Sequence, residues 1–429
     1  MDDVLTSYRA AIESLFARTT GGIKPGLERT SELLARLGSP HKKLSAIHIA
    51  GTNGKGSVVA TCESLLRWQG FRVGRYTSPH LIDFRERITV DGKPISEEDV
   101  LAFLERWIGA AEELGATFFE VTTALAFDWL AKQNVDIAVI ETGLGGRLDS
   151  TNVLTPSVAT VTSIGLDHTD LLGSTLEAIA REKAGIFKPG IPAIIGEPDA
   201  ALQNFLADCA LAAKASAIVV VDRDYSIEDV AVTALGTSFR LRTAGEEAAI
   251  TTPLIGSYQA RNTATAIATL SAIGDTYLPP FHELTLALAR VFLPGRFQRQ
   301  GKIIFDVAHN PAGAQTIAEN LIALDPPHPR TALIAVLRDK DWRGIINALS
   351  PVIDRFMITN APSAPPDRRW DVSEAHSYAT SRGIAADLEP DLDIAIVRAQ
   401  KRCGMLLVTG SFHTVGDVMS RLQVSPVAA

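Results

Sequence analysis

Residues 44–70 have the sequence LSAIHIAGTNGKGSVVATCESLLRWQG. The apolar, β-branched run at 44–50 predicts a buried strand, and the segment after Ser57 has apolar residues at helical spacing up to Gly70. The glycine-rich turn GTNGKGS lies between them. A strand, a tight turn and a helix in this order are typical of a parallel α/β sheet.

The turn itself predicts a phosphate site. Glycines let successive backbone N–H groups point at a phosphate, the following helix adds its positive end, and Lys55 supplies a mobile cation. The pattern departs from GxxxxGK[ST], because Ile49 stands at the first glycine position and Gly56 directly follows the lysine. The alternative is a strand-to-helix turn with a solvated lysine. The predicted nucleotide-binding residues are Gly51, Thr52, Asn53, Gly54, Lys55, Gly56 and Ser57.

Outward from this turn, strands and helices alternate. VDIAVIETG (135–143), SVATVTSIG (157–165) and IPAIIGE (191–197) are predicted strands, which indicates a mainly parallel sheet. Short alternating stretches in 217–252 predict a local antiparallel addition. The segment from Val4 to Leu37 predicts two helices joined by the Gly/Pro loop TTGGIKPG.

A second α/β cycle follows VFLPGRFQR (291–299), in which Pro294 and Gly295 interrupt the pattern. We therefore predict an α/β protein of two domains. The first, residues 1–293, is a large P-loop-type domain with a mainly parallel sheet. Residues 294–298 are the predicted hinge, and residues 299–429 form a smaller Rossmann-like α/β domain.

Composition excludes several classes of protein. The 429 residues carry a formal net charge of −8, which disfavours nucleic acid or an anionic membrane as the main partner. Three widely spaced cysteines indicate neither a disulfide framework nor a CxxC metal site. No stretch has the pattern of an export signal or a membrane span, so we predict a cytoplasmic protein.

Nine segments, in this order along the chain, resemble the folylpolyglutamate synthase and dihydrofolate synthase family, which is related to the Mur ligases. The resemblance implies an ATP-dependent ligase that joins L-glutamate to dihydropteroate, to a reduced folate, or to both, and favours a bifunctional bacterial member. It also implies a monomer. The segments are GTNGKGS (51–57), YTSPHLIDFRERI (76–88), FFEVTTALAF (118–127), ETGLGGRLDSTN (141–152), TSIGLDHTDLLG (162–173), REKAGIFKPG (181–190), LPGRFQ (293–298), DVAHNPAG (306–313) and TGSFHTVGDV (409–418).

Two magnesium ions are implied by the resemblance. Glu141 ends a predicted strand, where an acid needs a positive partner, and the family uses the matching residues Ser78, Glu141 and His168 as ligands. The lysine matching Lys183 is carbamylated in the family and holds the second ion, which requires a neutral amine. The alternatives are a backbone-bonded loop histidine at His168 and a helix-surface charge at Lys183.

Further ATP contacts are implied at Lys55, Asn262, Arg296 and Asp306. Arg296 lies in the predicted hinge, where a guanidinium reaches phosphates from the second domain. Asn262 has the alternative of a helix-surface residue. Asp306 has the alternative of capping the helix that begins near Pro311.

The resemblance also implies residues for the other substrates. Phe118 and Phe119 suit a flat pterin ring, although two phenylalanines before a helix are also typical of a core. Lys24 departs from some family members, which have an acid there. The pterin-side residues are Lys24, Pro25, Gly26, Leu27, Thr117, Phe118, Phe119, Glu120, Leu148, Asp149 and Ser150. His309 and Ser411 are implied for the incoming glutamate, and join Lys55 and Lys183 as catalytic candidates.

Three other functions are weighed against this one. A Rossmann oxidoreductase is disfavoured because Leu148 replaces the third glycine of GxGxxG after ETGLGG. A cell-wall amide ligase is expected to carry a uridine-nucleotide domain ahead of the ATP domain, and only about fifty residues precede Gly51. A P-loop ATPase or a non-catalytic nucleotide-binding module remains an alternative on the loop alone.

Overall fold

The computed structural model describes residues 2–17, 24–401 and 403–426, and it divides into two lobes. The N-terminal lobe contains an eight-stranded sheet in the order β4-β3-β2-β5-β1-β6-β7-β8. Strands β2, β5, β1, β6, β7 and β8 are parallel, whereas β3 and β4 form an antiparallel edge. These strands are β1 Ala46–Ala50, β2 Val73–Tyr76, β3 Ile88–Val90, β4 Lys93–Pro94, β5 Ile137–Glu141, β6 Val158–Val161, β7 Ala193–Ile195 and β8 Ile218–Val220.

A three-stranded antiparallel sheet completes this lobe: β9 Ser226–Thr233, β10 Gly236–Arg242 and β11 Glu247–Thr252. It occupies the region in which alternating residues predicted an antiparallel addition. The helices of the lobe are α1 Asp2–Ala17, α2 Glu28–Arg36, α3 Lys55–Trp68, α4 Glu97–Glu113, α5 Phe118–Lys132, α6 Thr169–Leu172, α7 Leu176–Ala184, α8 Ala200–Ala212, α9 Val221–Asp224, α10 Tyr258–Ser271 and α11 Leu284–Leu288. The two predicted N-terminal helices are present, and residues 19–23 of their predicted connecting loop lie outside the described residues.

Strand β5 shows why the large sheet is buried on both faces. Ile137 and Val139 pack with α3 and α10 in one core, whereas Ala138 and Ile140 pack with α5 in another. Successive side chains of a strand alternate between faces, so a strand covered on both sides is apolar throughout. The carboxyl ends of β1, β2, β5 and β6 therefore meet at one rim of the sheet, where parallel α/β sheets bind ligands.

The C-terminal lobe is a six-stranded sheet in the order β12-β13-β17-β14-β15-β16, parallel except for β12. Its strands are β12 Gln298–Gln300, β13 Ile303–Phe305, β14 Arg330–Ile334, β15 Arg355–Ile358, β16 Ala386–Leu388 and β17 Met405–Thr409. Its helices are α12 Pro311–Leu324, α13 Trp342–Leu349, α14 Val372–Ser381, α15 Leu392–Lys401 and α16 Phe412–Arg421. The predicted fold class, a large mainly parallel α/β domain followed by a smaller one, is confirmed.

The connection between the lobes, residues 289–297, lacks regular secondary structure. Phe297 is fully buried, and its backbone N–H donates to the Asp306 carboxylate at 2.8 Å, so the end of the connection is fixed to the second lobe. The exact domain limits and the hinge at 294–298 stay predictions. Within the described part of the chain, no helix has the length and apolar character needed to cross a bilayer.

Candidate active site

The glycine-rich turn joins β1 to α3 at the rim of the large sheet. Gly51 and Gly54 have φ angles of +153° and +90°, which favour glycine. A Cβ at Gly51 would lie 1.8 Å from Thr162 Oγ1, so the turn packs directly against the end of β6. Helix α3 has no side-chain cap at Gly54, which leaves its first N–H groups available to a phosphate.

Two lysines direct their ammonium groups at one backbone oxygen of this turn. Lys55 Nζ donates to the Gly51 carbonyl at 2.9 Å, and Lys183 Nζ donates to the same oxygen at 2.8 Å. Burial lowers the pKa of Lys55. Burial and the adjacent Lys55 charge together lower the pKa of Lys183 to about 7. Two amine groups held this close, each a cation when protonated, indicate a site built for negative charge.

Lys183 belongs to the carboxyl-terminal end of α7 and is only 5 % exposed. Its alternative interpretation as a helix-surface charge is therefore wrong. A buried lysine with a lowered pKa has a substantial neutral fraction near pH 7, which is what carbamylation requires.

Glu141 supplies the main negative charge beside the lysines. It ends β5, is 6 % exposed, and its carboxylate lies 3.8 Å from Lys55 Nζ and 3.4 Å from the Ser78 backbone N–H. Both contacts are long for a buried carboxylate, whose pKa is raised by burial against the opposing effect of Lys55. Glu141 and Ser78 thus retain the oxygen donors that a hard divalent cation prefers, and the site fits such an ion.

His168 has a different environment from Glu141. It follows Asp167, its side chain is partly exposed, and burial lowers its pKa to about 4, which leaves the imidazole neutral as a metal ligand must be. Among the described residues, no three His, Cys, Asp or Glu side chains cluster tightly enough to form a complete metal site. Any cation here would therefore complete its coordination with water and phosphate oxygens.

Asp167 was not singled out from the sequence, yet it connects the two lobes. Its carboxylate accepts a hydrogen bond from Lys340 Nζ at 2.7 Å and lies 3.5 Å from His309 Nε2. These contacts hold the pKa of Asp167 well below its usual range. Lys340 lies 173 residues further along the chain, so no local pattern predicts the pair.

Arg296 and Asp306 face the same cleft from the connection and the second lobe. The guanidinium of Arg296 lies 5.5 Å from the centre of the Phe412 ring and has no carboxylate partner in the described chain. Asp306 accepts from the Phe297 and Ala308 backbone N–H groups at 2.8 and 2.9 Å. The alternative in which Asp306 caps the following helix is wrong, because Asn310 caps α12.

The other second-lobe candidates and Asn262 are held by local hydrogen bonds. His309 Nδ1 lies 3.0 Å from the Val307 carbonyl, and Ser411 caps α16 while donating to the Ala335 carbonyl at 3.1 Å. Asn262, in the first turns of α10, places its amide oxygen 2.6 Å from where a Gly54 Cβ would stand. Asn262 therefore faces the phosphate loop and not solvent alone.

On the pterin side, Thr117 and Glu120 form a capping box at the start of α5. The Glu120 backbone N–H donates to Thr117 Oγ1, and the Glu120 carboxylate accepts from the Thr117 N–H at 2.7 Å. The same carboxylate pairs with Arg29 at 2.9 Å. Both predicted pterin residues thus have structural partners.

Phe118 and Phe119, which lie between Thr117 and Glu120, have different environments. Phe118 is buried and stacks on Phe16 with ring centres 4.7 Å apart, which agrees with the core alternative. Phe119 lies so close over Gly143 that a Cβ there would be 2.2 Å from its ring. The Phe119 ring is only partly buried.

Several of the remaining pterin-side candidates are buried or form hydrogen bonds within the protein. Asp149 is buried and accepts from the Leu144 N–H at 2.7 Å and from Thr151. Ser150 is buried, Leu148 is exposed, and Lys24 Nζ donates to the Gly115 carbonyl at 3.3 Å. Pro25, Gly26 and Leu27 lead into α2.

Arg87 is a buried cation that sequence reasoning did not single out. It is 6 % exposed, its Nε donates to His80 Nδ1 at 2.8 Å, and its guanidinium lies 5.2 Å from the centre of the Phe118 ring. No carboxylate pairs with it in the described parts of the chain. A buried, unpaired arginine is costly unless an anion binds, so Arg87 is a candidate partner for a substrate carboxylate. The quoted segment FRERI contains it, but nothing in the sequence marked it as buried.

A cleft of about 380 Å³ adjoins part of this site. Its inner wall includes Ser78, Glu141, Arg296 and Phe412, and it continues along one side of α3. The cleft therefore contains parts of both lobes.

Comparison with known protein families places the chain among ligases. The model of the Mur ligase middle domain matches residues 49–270, and that of the Mur ligase glutamate ligase domain matches residues 295–412. Dihydrofolate synthase/folylpolyglutamate synthase of Bacillus subtilis is 35 % identical over 98 % of this chain and 100 % of its own length.

Solved structures give the same result. Mycobacterium tuberculosis folylpolyglutamate synthase complexed with ADP superposes with a TM-score of 0.90 at 32 % identity, covering 99 % of this chain and 100 % of that one. A bifunctional folylpolyglutamate synthase/dihydrofolate synthase with Mn, AMPPNP and L-glutamate bound has a TM-score of 0.81 at 31 % identity, covering 94 % and 95 %.

Proposed function

This chain belongs to the dihydrofolate synthase/folylpolyglutamate synthase family of Mur ligases, and from that membership we propose that it is an ADP-forming ligase that adds L-glutamate to dihydropteroate and to folates. The observation that carries the proposal is the convergence of Lys55 and Lys183 on the Gly51 carbonyl, with Glu141 3.8 Å from Lys55. This arrangement suits a triphosphate whose terminal group is transferred.

The reaction has two steps. The acceptor carboxylate attacks the terminal phosphorus of ATP, which gives an acyl phosphate and ADP. The amine of glutamate then attacks the acyl carbon, forms the amide and expels phosphate. A carboxylate oxygen is a poor leaving group and phosphate a good one, so the first step makes the second possible.

The proposed residue roles follow from position. The phosphate loop, including Thr52, Asn53, Gly56 and Ser57, holds the phosphates at the start of α3, while Lys55 and Arg296 neutralise charge on the transferred group. Asn262, which faces the phosphate loop, and Asp306 are assigned to further contacts with ATP. We assign the acceptor carboxylate to Arg87, because Arg87 is a buried cation without an acid partner among the described residues.

For the second step, His309 and Ser411 are assigned to the incoming glutamate. His309 is partly exposed next to Asp167, and Ser411 lies at the start of α16. The pterin ring is assigned to the region of Lys24–Leu27, Phe119 and Leu148–Ser150, where Phe119 supplies the partly exposed aromatic face.

A divalent cation, when bound, supplies charge neutralisation on the phosphates. Ser78, Glu141 and His168 would hold it. We further propose that the neutral Lys183 amine adds CO₂ and releases one proton, which yields a carbamate able to hold a second cation. The burial of Lys183 and its lowered pKa support this step.

Closure of the lobes protects the acyl phosphate. Asp167 pairs with Lys340 and approaches His309, so side chains of the second lobe contact a loop of the first lobe, which supports this proposal. Excluding water here prevents hydrolysis of the intermediate. The connection at 294–298 is the proposed hinge.

A coupled assay tests the proposal. ADP release is measured with ATP, magnesium, glutamate and either dihydropteroate or tetrahydrofolate, and each component is omitted in turn. We expect turnover only when nucleotide, acceptor and glutamate are all present. ADP release that is independent of glutamate and acceptor would instead indicate an ATPase. A failure to form an amide with either dihydropteroate or tetrahydrofolate would overturn the proposal.

A further inference from the structure

Residues 77–87 form a loop that is held together by its own hydrogen bonds. The Thr77 N–H donates to the Arg87 carbonyl at 2.9 Å, so the two ends of the loop meet. Between them, the Glu86 carboxylate accepts the three backbone N–H groups of residues 81–83 at 2.6 to 2.8 Å. Charge-assisted bonds of this kind are strong, and a compact loop with joined ends moves as a unit. A displacement of its middle is therefore transmitted to its ends.

One end of the 77–87 loop carries Ser78, which the proposed function assigns to the cation together with Glu141. The Ser78 backbone N–H lies 3.4 Å from the Glu141 carboxylate. In the described parts of the chain, no hydrogen bond fixes the Ser78 hydroxyl. The position of this oxygen is therefore set by the backbone of the loop.

The middle of the same loop contacts the second lobe through Leu81. This side chain packs against an apolar core of that lobe, which includes Val307 and Val415. Its two methyl carbons also lie 3.3 and 3.4 Å from where a Cβ on Gly295, in the connection between the lobes, would stand. The neighbouring Ile82 is instead 39 % exposed. Leu81 thus seats this loop on the second lobe.

Gly416 lets the two backbones approach closely at this contact. It is buried within α16, and a Cβ there would lie 1.9 Å from the Leu81 carbonyl oxygen and 2.8 Å from the Leu81 carbonyl carbon. The obstacle is backbone, which cannot rotate aside as a long side chain can. A glycine inside a helix is disfavoured relative to alanine, and the approach of Leu81 gives a physical reason for this one.

We propose that Leu81 is a positioning residue for Ser78, an inference that rests on the proposed function. By seating Leu81 against Gly416, the second lobe fixes the 77–87 loop and thereby the position of the Ser78 hydroxyl relative to Glu141. Leu81 itself is apolar and donates nothing to the cation. Its contribution is to make the oxygen donors of the first lobe converge when the lobes are in contact.

A purely structural contact would have a different effect. If Leu81 only joined the lobes, removing the contact would lower the melting temperature, and the affinity for a divalent cation would stay the same. If Leu81 positions Ser78, cation affinity falls, by the roughly ten- to hundredfold that is typical of groups that orient metal ligands. Cation affinity is therefore the deciding measurement.

The first test is Gly416→Ala, with Gly109→Ala as its matched control. Both replace a glycine inside a helix, but among the described residues a Cβ on Gly109, in α4, meets no atom beyond its own helix within 4 Å. The affinity of the full chain for Mn²⁺ is measured in the presence of AMPPNP, from the electron paramagnetic resonance signal of the free ion. We expect the Kd for Mn²⁺ to rise about tenfold in Gly416→Ala and to stay within about twofold of the parent value in Gly109→Ala.

A second set of variants approaches the contact from the other lobe. Leu81→Ala should also raise the Kd for Mn²⁺ about tenfold. Leu81→Met, which keeps the apolar volume, and Ile82→Ala, which changes an exposed neighbour, should leave it unchanged. Raising the magnesium concentration should restore turnover of Leu81→Ala, because the loss lies in cation affinity.

An unchanged Kd in Leu81→Ala or in folded Gly416→Ala would overturn the proposal, as would an equal rise in the control variants Gly109→Ala and Ile82→Ala. If Gly416→Ala does not fold, Leu81→Ala decides the question. If the parent chain binds no Mn²⁺ beside AMPPNP, or forms no amide, the proposed function itself fails, which is a separate outcome.

Discussion

At the phosphate loop, Lys55, Lys183 and Glu141 are buried titratable groups with few or long contacts to compensating groups. At the pterin side, Thr117, Glu120 and Asp149 are polar residues whose hydrogen bonds are nearly all made within the protein. Both regions lie at the same rim of the sheet. The polar groups at the phosphate loop are therefore available to bind a ligand, whereas those at the pterin side stabilise the local backbone. Changes at the first region should therefore act on activity, and changes at the second on stability.

The largest effect is expected at Lys55. Lys55→Ala should reduce ATP-dependent amide formation about a thousandfold or more, because it removes a cation from the transferred phosphoryl group. Circular dichroism and the melting temperature should stay close to the parent values, since a desolvated charge is lost and not an apolar contact. Retained turnover would remove the phosphate role from this lysine.

Lys183→Ala should lower turnover about a hundredfold, in the range of lost metal-supporting groups. Short carboxylic acids added to this variant should restore part of the activity by replacing the carbamate. Lys188→Met is the matched control. Burial also lowers the pKa of Lys188, to about 8, but its ammonium binds the Asn152 and Leu154 carbonyls away from the loop. If short acids raised the activity of both the Lys183→Ala and Lys188→Met variants, or of neither, the result would argue against a carbamate at Lys183.

The second region, the pterin side, can be tested through the pH dependence of stability that His48 causes. It is fully buried in β1, and its Nε2 lies 2.8 Å from Thr151 Oγ1, which in turn donates to Asp149. Burial lowers the pKa of His48 to about 3, against about 6.5 when unfolded. The unfolded chain therefore binds more protons between pH 6.5 and 3, and stability from this group is lost as pH falls through that window.

The parent enzyme should accordingly lose about 2 kcal/mol more unfolding free energy than His48→Gln between pH 6.5 and 5, measured by urea denaturation. Both proteins have the same carboxylates, so the contribution of these groups to the pH dependence cancels when the two changes in unfolding free energy are subtracted. Parallel pH profiles would show that His48 is not held neutral in the folded state.

The smallest effect is expected at Thr117. Thr117→Ala should cost about 1 kcal/mol of stability through the lost cap of α5 and leave kcat unchanged. Thr117→Ser keeps the hydroxyl and should behave as the parent. A rise in KM for dihydropteroate in the alanine variant, without the loss of stability, would instead indicate that Thr117 contacts the pterin. The division into a region that acts on activity and one that acts on stability would then be wrong at this residue.

Local patterns predicted what depends on local geometry. The strand, turn and helix around Gly51, the strand ending at Glu141 and the presence of a second, smaller α/β domain all follow from periodicity and glycine placement. The capping box at TFFE also has a local pattern, a threonine three residues before a glutamate.

Burial and long-range pairing were not readable in the same way. The sequence does not distinguish the buried Lys183 from a surface lysine, or mark Arg87 as an enclosed cation. The Asp167–Lys340 pair joins elements of different lobes, and its formation depends on how the lobes meet. These are properties of the assembled tertiary structure.

Asp167 and His168 are adjacent in one short loop, yet Asp167 contacts the second lobe and His168 is assigned to the cation. If separating the lobes pulls Asp167 from Lys340, it also displaces its neighbour, so cation affinity and lobe separation are thermodynamically linked and each must weaken the other to the same extent.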